Sequence, residues 1–159
     1  MGLKNVSHRS SIHCMKLWLF LLYPTLAWSD PAIILPGKNS TVRDSSGRTT
    51  ATSRASGNRT TFRDSSGRTT GSSTTSSNGQ TVFRDHQGRT TGTQQTHGSK
   101  TTQRDAQGRA TGTAVTSASG ATTYRDSSGR TTGSSSVSGN KITFRDAQGR
   151  VTKTATLKP

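Results

Sequence analysis

Glutamate is absent from the 159-residue sequence, and apolar residues are scarce. All seven acidic residues are aspartates, against 22 lysines and arginines. Only 25% of the residues are hydrophobic and 5% are aromatic. Low apolar content with high net charge is typical of chains that cannot offset the entropy of ordering. A conventional two-layer core is therefore not expected, and two outcomes stay open: a repeat fold held mainly by backbone pairing, or a partly disordered chain.

The shortage of thiols and acids also limits the chemistry. Cys14 is the only cysteine, so neither a disulfide framework nor a cysteine zinc site is expected. Six of the seven aspartates occupy equivalent positions in a repeat. A catalytic carboxylate pair needs two acids in different environments, which equivalent positions do not offer. We expect a non-enzymatic protein with no catalytic residue, metal site, cofactor or small-molecule substrate.

The longest apolar run lies close to the N-terminus. A lysine and a short apolar segment follow Met15, and two small residues, Ala27 and Ser29, suit the −3 and −1 positions of a cleavage site. We predict a signal peptide over residues 1–29, with Met15 as an alternative start; a membrane anchor or buried helix is the competing interpretation. The mature protein would be exported to the periplasm, the cell surface or the medium. It would carry 19 lysines and arginines minus seven aspartates, a net charge of +12.

The rest of the sequence is built from near copies of one unit. The motif Arg-Asp-x-x-Gly-Arg recurs six times, with aspartate spacings of 20, 21, 20, 21 and 20 residues. Internal repeats of this length indicate a repeat architecture. We therefore divide the exported part into a lead-in linker over residues 30–39 and six tandem RDxxGR repeats over residues 40–159.

Each Asp-x-x-Gly sequence is expected to form a tight turn. An aspartate can accept hydrogen bonds from the backbone amides ahead of it. A glycine three residues later can adopt the left-handed conformation that closes a type I turn with a G1 bulge. The predicted turn formers are Asp44, Gly47, Asp64, Gly67, Asp85, Gly88, Asp105, Gly108, Asp126, Gly129, Asp146 and Gly149.

The segments between turns predict β-strands. In the second unit Thr60, Phe62 and Asp64 would share one strand face, and β-branched and aromatic residues favour extended structure. A second turn lies midway between aspartates, so each unit predicts a hairpin and the chain an all-β antiparallel meander of up to twelve strands. A β-solenoid is the alternative for this period. A solenoid would stack the arginines of successive repeats about 4.8 Å apart, half their spacing in a meander. Because the arginines would repel each other more strongly at the shorter distance, we favour the meander.

The layout aromatic-x-Asp-x-x-Gly-Arg-x-Thr resembles the YD repeats of Rhs-type bacterial surface and toxin-delivery proteins. In the second unit the matching residues are Phe62, Asp64, Gly67, Arg68 and Thr70. The chain departs from that repeat in two places: arginine replaces the tyrosine before the aspartate, and threonine, alanine or valine replaces the leucine after Gly-Arg. The resemblance implies a β-hairpin repeat in an exported bacterial protein. It does not carry over a toxin or encapsulation function.

Two arginines per unit give the repeat regular rows of positive charge. Such rows attract anionic polymers in a salt-dependent manner. The simpler interpretation is that they keep a β-rich surface soluble. The candidate polyanion-binding residues are the arginines that precede the aspartates: Arg43, Arg63, Arg84, Arg104, Arg125 and Arg145.

We therefore expect an exported, non-enzymatic β-repeat protein with a structural or cell-surface interaction role. Two alternatives stay open. One is a cationic binding module for anionic glycan, lipopolysaccharide or nucleic acid. The other is a self-assembling fibre subunit. Self-association would use the edge strands of the sheet, whose backbone groups lack partners within the sheet.

The fourth unit is expected to be locally weak, because it carries Gln103 where most others carry an aromatic residue. Replacing Gln103 with phenylalanine should raise the midpoint of denaturant unfolding, since burial of the added apolar surface stabilises by about 1–2 kcal/mol. An unchanged midpoint would argue against the idea that the aromatic residues at this position of the repeats pack together.

Overall fold

The computed structural model describes residues 36–158, and all regular structure in this range is β-strand. The predicted signal peptide and residues 30–35 of the lead-in linker lie outside the described residues. No helix within residues 36–158 has the length and apolarity needed to cross a membrane. The strands are β1 (Asn39–Asp44), β2 (Thr49–Ser56), β3 (Arg59–Asp64), β4 (Thr69–Thr75), β5 (Gln80–Asp85), β6 (Thr90–His97), β7 (Lys100–Asp105), β8 (Ala110–Thr116), β9 (Thr122–Asp126), β10 (Thr131–Ser138), β11 (Lys141–Asp146) and β12 (Val151–Lys158).

Every strand pairs antiparallel with the next one along the chain, which confirms the predicted all-β meander. The solenoid alternative is wrong, because consecutive strands are hydrogen-bonded neighbours in one antiparallel sheet. The sheet also closes on itself: β12 pairs with β1 over the six residue pairs from Asn39–Lys158 to Asp44–Lys153. Closure was not predicted. It satisfies the backbone of both terminal strands, so self-association through edge strands would first require this pairing to open.

Two kinds of loop alternate at the end of the barrel where β2, β4, β6, β8 and β10 finish. Gly57, Gly98 and Gly139 each begin a two-residue loop with φ of 56°, 56° and 57°, as in a type II′ turn. The other two loops contain three residues. In the first of these, the amide of Ser76 donates to the carbonyl of Gln80 at 2.8 Å, and Gly79 has a φ of 79°. The extra residue explains why the aspartate spacing alternates between 20 and 21.

The pairing register tilts the strands. A path that follows paired residues from strand to strand moves two positions along the repeat each time it crosses one of the six repeats. One full turn around the barrel therefore gives a total shear of 12. For twelve strands this shear corresponds to a tilt of about 37° and a backbone diameter of about 21 Å.

Large and small side chains alternate around the interior of the barrel. The odd-numbered strands contribute the large residues, which are Val42, Phe62, Phe83, Gln103, Tyr124 and Phe144, all 7% exposed or less. Small residues flank them on the neighbouring strands: Phe62 lies between Ser53 and Gly71, and Phe83 between Ser73 and Gly92. The aromatic residues thus fill the interior of a closed barrel instead of covering one side of a thin sheet.

Hydroxyl groups share this interior with the aromatic rings. The hydroxyl of Ser53 donates to the carbonyl of Lys38 at 2.8 Å and lies 2.8 Å from the hydroxyl of Ser40. The hydroxyls of Tyr124 and Ser135 are 2.9 Å apart, and burial raises the pKa of Tyr124. These bonds satisfy polar groups that burial would otherwise leave without partners. The chain can therefore close a barrel although its apolar content is low.

The fourth repeat departs from the large-and-small alternation. Gln103 is 7% exposed and pairs with Gln94, whereas the aromatic rings of other repeats face serine or alanine at that position. Two medium-sized side chains thus replace one large and one small. A phenylalanine at position 103 would meet Gln94, so the stabilisation expected from Gln103→Phe should appear in full only with Gln94→Ser as well.

Glycines that pair with the large interior residues lie very close to the backbone of the next strand. A Cβ added to Gly92 would lie 2.5 Å from the carbonyl oxygen of Arg104 on the next strand, and Gly71 and Gly133 approach the equivalent carbonyls of Arg84 and Arg145. Gly92→Ala should therefore lower the free energy of unfolding by about 1–3 kcal/mol, because the two strands must separate. Chemical denaturation measures this change.

Ala51 provides the matched control, since it occupies the equivalent position in the first repeat. Ala51→Gly removes a Cβ that this junction already accommodates and should change the free energy of unfolding by less than about 1 kcal/mol. If Gly92→Ala is as mild as Ala51→Gly, the close approach does not constrain the barrel.

Candidate polyanion-binding site

The six Asp-x-x-Gly turns lie together at one end of the barrel, because every odd-numbered strand runs to that end and finishes at an aspartate. We call this end the arginine rim. It contains six aspartates and twelve arginines, which are Arg43, Arg48, Arg63, Arg68, Arg84, Arg89, Arg104, Arg109, Arg125, Arg130, Arg145 and Arg150. Lys153 lies at the same end, since it pairs with Asp44. Thirteen positive charges minus six negative charges leave a net charge of +7 at the rim.

The aspartate organises each turn through its side chain. One oxygen of Asp44 accepts hydrogen bonds from the amides of Ser46 and Arg48, at 2.9 and 3.0 Å. The amide of Gly47 donates to the carbonyl of Asp44 at 3.0 Å, and Gly47 has a φ of 82°. Beyond the turn, a register shift between Val42 and Arg43 leaves Thr50 as the extra residue of a separate bulge in β2. The other five turns repeat these bonds at 2.8–3.0 Å.

The arginine before each aspartate is bound to the same turn. The guanidinium of Arg63 donates to the carbonyl of Gly67 at 2.8 Å. The same bond occurs in all six repeats, at 2.8–3.2 Å. This arginine row therefore has a local structural role that the sequence interpretation missed. The available signal was the constant four-residue distance from arginine to glycine.

The arginine after each glycine forms ion pairs in four of the repeats. Arg68 contacts Asp64 at 3.1 Å, and the equivalent pairs in the third, fourth and sixth repeats are 2.7–2.8 Å long. These arginine side chains are 62–81% exposed. Exposed pairs of this kind contribute little to the free energy of unfolding. Their main consequence is to hold guanidinium groups above the rim.

The turn bonds also set the ionisation of the aspartates. The amide of Arg68 is the largest influence on Asp64, and together with the Arg68 guanidinium it holds the pKa of that carboxyl below its usual value. In Asp85, Asp105 and Asp146 partial burial acts most strongly and raises the pKa. The hydrogen bonds and charge of the following arginine outweigh it, so the pKa is again lowered. These carboxylates stay charged at neutral pH.

The opposite end of the barrel is also positive, and among the described residues it carries no acid. Its cations are Lys38, Arg54, Arg59, Lys100, Lys141 and Lys158. Strands of five to eight residues span about 17–26 Å, well beyond the Debye length of about 8 Å at physiological salt. The two ends thus act as separate charged surfaces. The sequence analysis did not identify the positive surface at this opposite end. A signal was available, because every acid after residue 39 belongs to the repeated motif and therefore lies at the arginine rim.

The arrangement of acids and arginines determines which ions the rim could bind. Each turn holds one aspartate, and within residues 36–158 no group of three or more histidines, cysteines or acids is close enough to hold a metal ion. The guanidinium groups of the rim can bind anions through directed, charge-assisted hydrogen bonds.

No protein-family model matches the chain, and no curated protein is similar to it.

The lowered aspartate pKa values predict acid sensitivity. A carboxyl whose pKa is lower in the folded state stabilises the fold above its usual pKa of 3.8, and this contribution disappears as the pH falls through the lowered value. The unfolding midpoint should therefore stay constant from about pH 7 to about pH 5 and then fall below about pH 4. Thermal unfolding followed by circular dichroism measures it.

Asp64→Asn is the control variant for this prediction. Its side-chain oxygen can still accept the amide hydrogen bonds, but the group no longer titrates. The variant should be less stable at neutral pH and lose less stability on acidification. A midpoint that does not respond to acid in the parent protein would contradict the prediction.

Proposed function

We propose that the protein is an exported, non-enzymatic β-repeat barrel that binds an anionic polymer through its arginine rim. One observation carries this proposal: six arginines, one per repeat, are fixed at one end of a closed barrel by bonds to glycine carbonyls at 2.8–3.2 Å. Export is supported by the apolar N-terminal segment, and a bacterial source by the resemblance to YD repeats.

Fixing the arginines in advance favours binding. A free arginine loses side-chain entropy when it binds an anion, at a cost of about 0.5–1.5 kcal/mol for each immobilised side chain. The turn has already restricted these six side chains, while using only one or two of the five N–H donors of each guanidinium. The remaining donors can bind a carboxylate, sulfate or phosphate group.

The spacing of the row suits a polymer. The six arginines lie on every second strand and advance by two residues per repeat, so neighbours on a ring about 21 Å in diameter are about 10–11 Å apart. At this distance salt largely screens their mutual repulsion. A polymer with regularly spaced anionic groups can contact several arginines at once, and each further contact is intramolecular. A single small anion would gain nothing from the repetition.

The position of the aromatic residues narrows the partner class. Nucleobases and sugars can bind a protein by stacking on aromatic side chains, which in residues 36–158 are Phe62, Phe83, Tyr124 and Phe144. These side chains are 1–6% exposed inside the barrel, where an external ligand cannot stack on them. Recognition at the rim would therefore depend on charge and hydrogen bonding, which favours an acidic or phosphorylated surface glycan, including lipopolysaccharide, over single-stranded nucleic acid.

A structural role is compatible with this activity, since the barrel holds the rim in a fixed geometry. The fibre alternative has less support, because closure pairs both strand edges that a cross-β fibre would extend.

Paired charge variants test the proposal. Arg63→Gln with Arg125→Gln removes two members of the row, and Lys100→Gln with Lys141→Gln removes the same charge from the opposite end. Affinity for an acidic polysaccharide, measured by calorimetry at low and moderate salt, should fall about fivefold to tenfold for the arginine pair. It should fall about twofold or less for the lysine pair, through the general loss of charge.

Three results would contradict the proposal: no binding by the parent protein, binding that is indifferent to salt, or equal losses in the two pairs. Equal losses would mean that net charge alone attracts the polymer. Single-stranded DNA serves as the second probe, and stronger binding to DNA than to polysaccharide would overturn the choice of partner. Unfolding midpoints of both variants verify that the barrel is intact.

A further inference from the structure

The pairing of β12 with β1 differs from every other junction in the barrel. We call it the seam. The other strand pairs are joined by short loops, but β1 and β12 lie at opposite ends of the described chain. Asn39 pairs with Lys158, 119 positions later, whereas every other pair of neighbouring strands is consecutive in sequence. The seam is therefore the one junction that no loop holds together.

The seam has the same register as the internal junctions. In β2–β3, six residue pairs run from Ser56–Arg59 to Ala51–Asp64. In the seam, six pairs run from Asn39–Lys158 to Asp44–Lys153, with the aspartate at the equivalent end. The edge of β12 that pairs at the seam can therefore pair with any β1 strand in this register. A β1 strand from a second copy would fit as well as the chain's own.

Contacts at the far end of the seam connect each strand to its own hairpin. The side chain of Asn39 accepts a hydrogen bond from Ala55 on β2 at 2.9 Å. The amide of Leu157 on β12 donates to the carbonyl of Asn140, in the loop before β11, at 2.8 Å. These bonds hold β1 and β12 in place within the sheet, and they persist when the seam opens.

Folding order exposes the seam edges. Hairpin contacts between consecutive strands form early, because they close short loops. The seam requires the whole meander and closes last. Until then both edge strands present unpaired backbone groups to other chains. For pairing within one chain, β1 has an effective concentration of about the millimolar range at β12. Pairing with a second chain competes as the chain concentration approaches that range.

We infer that β12 of one copy pairs with β1 of another when folding occurs at high chain concentration, so that the barrel assembles into seam-exchanged oligomers. The partner is a second copy of this chain. The contact is head-to-tail, since β1 and β12 are different surfaces, and it can close into a ring or continue as an open series. This inference is independent of anion binding at the arginine rim.

Disulfide trapping tests the exchange in the full chain. Cys14→Ser removes the natural thiol, and Thr41→Cys with Thr156→Cys places a cysteine pair across the seam. The protein is refolded from denaturant at about 1 µM and at about 200 µM, approaching the effective concentration of closure, and is then oxidised. We expect disulfides within one chain at the low concentration and a ladder of linked chains at the high one.

Ser136→Cys with Thr143→Cys is the matched control, because these residues pair at the equivalent position in the β10–β11 hairpin. This pair should form disulfides within one chain at both concentrations. Equal interchain linkage in the two pairs would overturn the inference, since it indicates general aggregation. A seam pair that stays within one chain at both concentrations would overturn it too.

Light scattering supplies a second measurement that does not depend on oxidation. The Cys14→Ser protein refolded at the high concentration should have an average mass above that of one chain, with oligomers present beside the monomer. The seam variant that was closed and oxidised at low concentration should remain monomeric when it is concentrated. A parent that stays monomeric, or a closed variant that associates equally, would refute seam exchange.

Discussion

Two hydrogen bonds to one aspartate oxygen are the constraint on which the rest of the structure depends. In each repeat they fix the turn, which places the glycine in the left-handed region, and one bulge follows within the next strand. Six identical bulges advance the register by the same amount at each repeat. A constant register shift gives every hairpin the same tilt, and twelve strands with that tilt close into a barrel.

Local features of this fold could be predicted from the sequence because each depends on neighbouring residues. Asp64 and Gly67 predict their turn from a spacing of three, and Thr60 and Phe62 predict a strand face from a spacing of two. Closure could not be predicted in this way. It depends on the sum of twist and shear over twelve strands, and its contacts join Asn39 to Lys158. No local pattern marks these two residues as partners.

The site shows the same division between local and non-local information. The arginine row could be located from its repetition, but its role could not, because the bond from Arg63 to the carbonyl of Gly67 depends on how the turn directs the side chain. The second cationic surface was missed for a different reason. Arg59, Lys100 and Lys141 recur 41 residues apart, each two residues after the glycine of a two-residue loop. This period is twice that of the aspartate motif, and only the topology shows that these loops lie at one end.

The barrel also shows how a chain with little apolar surface can form a core. Large side chains come from one set of strands and small ones from the other, so rings fill the spaces above serine, alanine and glycine. Hydroxyls such as those of Ser40 and Ser53 bond to each other or to backbone carbonyls, which limits the cost of burying them. Backbone pairing then stabilises the sheet all the way around. Within residues 36–158 all four aromatic side chains are buried in this interior, so none of them is available for contacts at the surface.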